Sequence, residues 1–238
     1  PKHQKKLLEM RKLTDRRGKE LGGPLSEKTT PLSKSTDPYP HSAAQVANRP
    51  DPDGFANLLS PGNRIRQWSG DSKYWKMQDG VLIGTTDGYL KMNRFITWKA
   101  ATVRNFDLRV KVRVTEGGNS GIQYRSFVKP GKHDGWRIGG YQADFESGDR
   151  FSGICYGEAF RGILSMRGDK TTLTLDAKGK LQKKVEKFGD SKDIGKAVKK
   201  ADWNQYRITA KGFHFTQYIN GVKTTELIDN DEKIRRSD

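Results

Sequence analysis

"FDLRVKVRVTEGGNSGIQYR", residues 106–125, decides the fold. Phe106, Leu108, Val110, Val112 and Val114 alternate with Asp107, Arg109, Lys111 and Arg113. A period of two over nine residues predicts a strand with one buried and one wet face. Gly117-Gly118-Asn119-Ser120-Gly121 then turns the chain into a second alternating run, in which Ile122 and Tyr124 oppose Gln123 and Arg125. Two amphipathic strands joined by a glycine-rich turn, with no helix between them, predict an antiparallel sheet.

The same texture continues outward. "GVLIGT" (80–85) is a short apolar run between glycines. "GYQADFE" (140–146) sets Tyr141, Ala143 and Phe145 against Gln142, Asp144 and Glu146. "GILSMRG" (162–168) and "TTLTLD" (171–176) predict two more strands. Residues 203–227 predict consecutive strands turning at Ala210-Lys211-Gly212 and at Asn220-Gly221, the latter a strong hairpin signal. Only 178–200, Lys-rich with Gly179, Gly189 and Gly195, predicts a long exposed loop with a helical turn. Many short strands without intervening helices predict an all-β sandwich or jelly roll.

Before Phe55 the composition changes. Residues 2–21 predict one short charged helix, with Leu7, Leu8, Met10 and Leu13 as its apolar cluster and Gly22-Gly23-Pro24 as its stop. It is expected to be the tail of an upstream domain of the same precursor. Residues 24–54 are rich in Ser, Thr, Pro and Asp, a linker composition. The expected organisation is therefore a disordered or partly helical basic extension over 1–54 and a sandwich over 55–238. Only 33% of the residues are apolar, consistent with part of the chain lying outside a core.

The net charge of +17 is unevenly spread. Residues 1–50 carry 11 Lys and Arg against 5 Asp and Glu, and residues 170–200 carry 10 against 4. This charge is mostly Lys in aromatic-poor segments, which argues for solvated tails and loops and against a nucleic-acid partner. No stretch of about 18 apolar residues occurs, so no membrane span is expected. One cysteine, Cys155, excludes an internal disulfide framework. The four histidines, His3, His41, His133 and His214, show no ligand spacing. The chain opens on Pro1 without a signal-peptide pattern, and is expected to be a processed product or a fragment.

If the strands carrying Gln123 and Gln142 share a sheet, its outer face holds Gln123, Arg125, Gln142 and Asp144. Amides, a guanidinium fork and a carboxylate suit the hydroxyls of a sugar ring. An ordinary solvated sheet face is the alternative.

"WSGDSKYWKMQDGVLIGT", "FDLRVKVRVTEGGNSGIQYR", "GYQADFESGDRFSGICYGE", "WNQYRI" and "YINGV" occur in this order. Together they resemble the 3-keto-disaccharide hydrolase family over about residues 55–228. The resemblance implies a concanavalin-like jelly roll of two antiparallel sheets with a carbohydrate site on the concave sheet. It implies cleavage of glycosides carrying a ketone at C3, by C2 proton abstraction and elimination. For that chemistry Asp144, which shares a strand face with Gln142, is the first choice of base or metal-binding carboxylate, Glu158 is the second carboxylate, and Arg125 would stabilise the enolate or hold a hydroxyl. Tyr156 would donate a proton or stack on the sugar. Asn119 would bind a hydroxyl or satisfy its turn. Gln123, Tyr141 and Gln142 would line the site. Arg161 would be a further ligand or a surface residue, and His214 would face the same cleft or be structural. No cofactor is expected, although Asp144 and Glu158 are candidate ligands for a divalent cation. With no nucleotide-binding glycine motif, the oxidation at C3 falls to another protein. The family implies a periplasmic or secreted setting. After "YINGV" members continue into a further apolar strand, whereas this chain stops at "NDEKIRRSD", so a missing final strand is expected. The competing function is a non-catalytic carbohydrate-binding module, and behind it a scaffold domain that uses its basic tails.

Deleting residues 1–50 should leave the sandwich folded, with a single cooperative transition in urea. Loss of that transition would show that the extension packs into the core.

Overall fold

The structure, a computed structural model, describes residues 55–59, 67–86, 88, 90–132 and 137–236. The expected helix within 2–21 and the linker over 24–54 lie outside these residues. The chain divides into two compact units: residues 1–103 with 129–137, and residues 104–128 with 138–238.

The first unit holds four short strands: β1 (Trp68–Gly70), β2 (Trp75–Gln78), β3 (Val81–Gly84) and β4 (Ile96–Trp98). They pair antiparallel as β1 with β4 and β2 with β3. The β2–β3 hairpin turns on Asp79-Gly80, with φ of 49° and 74°, the left-handed pair such a two-residue turn requires.

The second unit is the sandwich. Its strands are β5 (Phe106–Val112), β6 (Asn119–Val128), β7 (Ile138–Glu146), β8 (Cys155–Glu158), β9 (Gly162–Ser165), β10 (Asp169–Leu175), β11 (Leu181–Lys187), β12 (Asn204–Lys211), β13 (His214–Ile219) and β14 (Val222–Asp229). One sheet has four strands in the order β6-β7-β8-β9, and the other has six in the order β11-β10-β14-β13-β12-β5. The predicted strands from residue 106 onward are all present. The β13–β14 hairpin turns on Asn220-Gly221, with φ of 50° and 84°, as its dipeptide demands.

Two expectations are corrected. The expected loop over 178–200 contains β11, paired antiparallel with β10 along seven residues, while the helical turn expected there is α1 (Ser191–Gly195). β11 is an edge strand whose residues are nearly all exposed, so its sequence shows no apolar alternation. Its lysines are a common means of blunting a sheet edge. The other correction concerns direction: β10 pairs with β14 in parallel, so the sheets are not wholly antiparallel. A parallel pair needs a long crossover, which the segment from β11 to β13 provides. β14 lies inside its sheet, between β10 and β13.

The core forms where the two sheets face each other. Tyr124, Tyr141, Ala143, Cys155 and Leu164 come from the four-stranded sheet. Leu173, Tyr206, Ile208, Phe215, Ile219 and Leu227 come from the six-stranded one. Aromatic rings dominate the contact: Tyr141 and Phe215 lie 4.6 Å apart between centroids, Tyr124 and Phe215 5.4 Å, and Phe145 and Tyr206 5.8 Å. Buried hydroxyls need partners. Tyr124 receives a hydrogen bond from Gln217 Nε2 at 3.1 Å, and Tyr206 donates to the Asp144 carbonyl at 3.2 Å.

Tyr141 donates instead to Asp229 Oδ2. Asp229 also takes the guanidinium of Arg161, which reaches Asp231 at 3.1 Å. Tyr141 stands on β7, Arg161 follows β8, and Asp229 ends β14, so this buried cluster ties one sheet to the other. Burial first, and the neighbouring Asp229 second, raise the Tyr141 hydroxyl and keep it a donor. Asp229→Ala should cost about 3–5 kcal/mol in urea denaturation, because Arg161 loses a partner in a site closed to water.

Candidate functional site

The second face of the four-stranded sheet is polar and mostly buried. β6 pairs with β7 so that Gly121 opposes Asp144 and Gln123 opposes Gln142. β7 pairs with β8 so that Gln142 opposes Tyr156 and Gly140 opposes Glu158. Alternation therefore places Asn119, Gln123, Gln142, Asp144, Tyr156 and Glu158 on one face, turned away from the aromatic core. Gln142, Asp144 and Glu158 are only 5%, 6% and 1% exposed, which sets them apart from an ordinary solvated sheet face.

These side chains are coupled in a fixed direction. Gln142 donates through Nε2 to Asp144 Oδ1. Its Oε1 then accepts from Gln123 Nε2 at 3.1 Å. Each amide is oriented by the acceptor beyond it, so the carboxylate sets the direction of the row. The backbone beneath Asp144 is also held. Its N–H donates to the Ile154 carbonyl at 3.2 Å, and its carbonyl accepts from Gly153 N–H and from the Tyr206 hydroxyl. Gly121 makes room for the row: a Cβ there would stand 2.5 Å from Gln142 Cγ and 2.6 Å from Nε2. A glycine inside a strand commonly marks such a close approach. Glu146 shares the face but serves its own loop, accepting from the backbone N–H of Arg150 at 2.8 Å and of Phe151 at 2.7 Å.

Four of the sequence-derived candidates lie elsewhere. Arg125 was expected beside Gln123. A bulge sets Arg125 and Ser126 against Gly140, and Arg125 takes a φ of 49°. The extra residue breaks the alternation and sends the side chain to the opposite side from Asp144. There it donates to the carbonyls of Arg104, Gly212 (2.8 Å) and Arg236 (3.1 Å), with its guanidinium 5.6 Å from the Phe215 ring centroid. Arg125 and Asp144 thus do not share a face, and Arg125 is a brace between the sheets. Tyr141 faces the core and is committed to Asp229. Arg161 is neither a ligand on this face nor a surface residue: it is buried against Asp229 and Asp231. His214 lies on the outer face of the six-stranded sheet, 48% exposed and 2.9 Å from Glu226.

Among the described residues no three His, Cys, Asp or Glu side chains converge as a metal site. Asp144 and Glu158 are the two candidate carboxylates on this face. Burial pushes the Cys155 thiol up to about 12, so it is no nucleophile.

The 3-keto-alpha-glucoside-1,2-lyase-like domain model matches residues 54–238. The chain belongs to this family. The match covers the sandwich and the strands before it, and it assigns the chain a carbohydrate-related role. No curated protein matches the chain at a significant level. Among the described residues no helix is long and apolar enough to cross a membrane.

Gly121→Ala should lower stability by about 1–3 kcal/mol in thermal melts, through collision with Gln142. In a Gln142→Ala background the penalty should shrink, giving a measurable coupling between the two positions.

Proposed function

We propose that the chain cleaves glycosides already oxidised to a ketone at C3, using the polar face of the four-stranded sheet. The observation that carries this is the directed row from Gln123 through Gln142 to Asp144, which ends on a buried carboxylate with a second carboxylate, Glu158, on the same face.

The ketone makes the C2 proton acidic. Asp144 takes that proton, and the C2–H electron pair moves into the ring as an enolate with its charge on the C3 oxygen. The enolate collapses, the C3 carbonyl re-forms, and the C1–O bond breaks to leave a C1–C2 double bond. The leaving oxygen takes up a proton as an alcohol. If the reaction stops there the product is the unsaturated keto sugar, a lyase outcome. If water adds back at C1, the outcome is hydrolysis. With Arg125 on the other side, the donor-bearing side chains this face offers the enolate are Asn119, Gln123 and Tyr156. Preorganised donors of this kind stabilise a developing oxyanion. Glu158 or Tyr156 supplies the proton to the leaving group. The family's substrate class supports a periplasmic or secreted setting.

Incubation with a 3-keto glucoside and an ordinary glucoside tests the proposal. The keto substrate should release its aglycone, and the ordinary one should not. Asp144→Asn keeps the shape and removes the base, so turnover should fall by about 10²–10⁴ with the melting transition retained. Undiminished turnover in Asp144→Asn would move the base to Glu158. Equal cleavage of both glucosides would replace elimination by a conventional carboxylate pair around an oxocarbenium ion. Binding of the keto glucoside without turnover would leave a carbohydrate-binding module.

A further inference from the structure

The outer face of the six-stranded sheet is basic, and its cations are held in place. On this face Arg109 of β5 stands opposite Arg207 of β12, Arg207 opposite Tyr218 of β13, and Tyr218 opposite Lys223 of β14. This makes a row across four strands spaced about 4.8 Å apart, with a bulge in the β13–β14 pairing at Tyr218. Each cation next to a ring is stacked on it. Arg207 lies 5.6 Å from the Tyr218 centroid, Lys223 is 4.1 Å from that of Phe188, and Arg113 is 5.1 Å from that of Trp203. Phe188 and Trp203 are large apolar side chains left 37% and 38% exposed.

The acids on this face are outnumbered. Asp107 holds Arg207 through three hydrogen bonds, at 2.9, 3.2 and 2.8 Å, and Arg109 at 3.6 Å. Glu226 is ringed by Lys223 and His214 at 2.9 Å and by Lys170 at 3.7 Å. Glu186 of β11, which the register puts on the same face, pairs with Lys184 at 2.9 Å, so three carboxylates position five permanent cations and cannot neutralise them. Side chains already ordered by rings and acids lose less entropy when an anion arrives.

We infer that this face binds an acidic polysaccharide, a chain of carboxylated or sulfated sugars. The row crosses successive strands, the strand spacing is about the length of one sugar residue, and forked guanidinium groups match carboxylate and sulfate oxygens. Nucleic acid fits less well. Single strands bind by stacking bases on open aromatic faces, and the three rings here are each stacked by a cation. Duplex readers place a helix or ribbon in a groove, and α1, the one helix among the described residues of this unit, has five residues with Asp193 in its first turn. The face shares no residue with the proposed catalytic row, so either assignment can fail without the other.

The test uses the full chain and its Arg109→Gln/Arg113→Gln/Lys223→Gln variant, titrated with polygalacturonate, neutral dextran and single-stranded DNA. Polygalacturonate should bind and dextran should not, with affinity falling as salt rises through loss of counterion release. The triple variant should bind polygalacturonate at least about tenfold more weakly and with a flatter salt dependence. Its melting transition and its turnover of a 3-keto glucoside should match the parent's. Failure of polygalacturonate to bind would overturn the inference. So would unchanged binding by the variant, which would place the contact elsewhere in the chain, or DNA binding as tight as that of polygalacturonate.

Discussion

The sandwich depends on a charge that cannot be left alone. Arg161 is buried where the two sheets meet, and its guanidinium is met by Asp229 and Asp231. Asp229 in turn accepts from Tyr141 on the opposite sheet. Desolvating these groups is costly, and the cost is recovered only while every partner stays in place. The cluster therefore also constrains register. It fixes which part of β7 faces the end of β14, and with it the position of every residue on β7.

Two other buried arginines follow a different logic. Arg125 and Arg167 address backbone carbonyls: Arg104, Gly212 and Arg236 for the first, and Asp149, Ser152 and Ser191 for the second. Carbonyls in turns and loops lack ladder partners, and a planar fork with five donors can serve several at once. Part of the chain's positive charge is thus structural. The remainder is sorted by sheet. The four-stranded sheet turns carboxylates and amides to its non-core face, and the six-stranded sheet turns cations and rings to its own.

Much of this was legible. The strands at 106–112, 119–128, 138–146 and 204–229 follow from period-two alternation and the Asn220-Gly221 turn, because a half-buried strand must alternate. The same rule placed Gln123, Gln142 and Asp144 on one face and Tyr141, Ala143 and Phe145 on the other. β11 was hidden because an edge strand with both faces wet has no apolar period. Arg125 was misplaced because one extra residue in a bulge inverts every orientation inferred beyond it, and nothing local in "QYRSF" announces that bulge. His214 stayed open between the cleft and a structural role, because the sequence does not show which sheet its strand joins.

The sequence by itself determined that the chain from residue 106 onward is an all-β sandwich, which residues alternate inward, and which family it belongs to, since these rest on local periodicity and ordered short motifs. Only the tertiary structure decided which strands are neighbours, that β10 and β14 run in parallel, and that Arg125 and Arg161 brace the core, Tyr141 binds Asp229, and Gln123, Gln142 and Asp144 form one connected row. Pairing and register are settled by contacts between residues far apart in the chain, such as Arg161 with Asp229, and no window of sequence contains both partners.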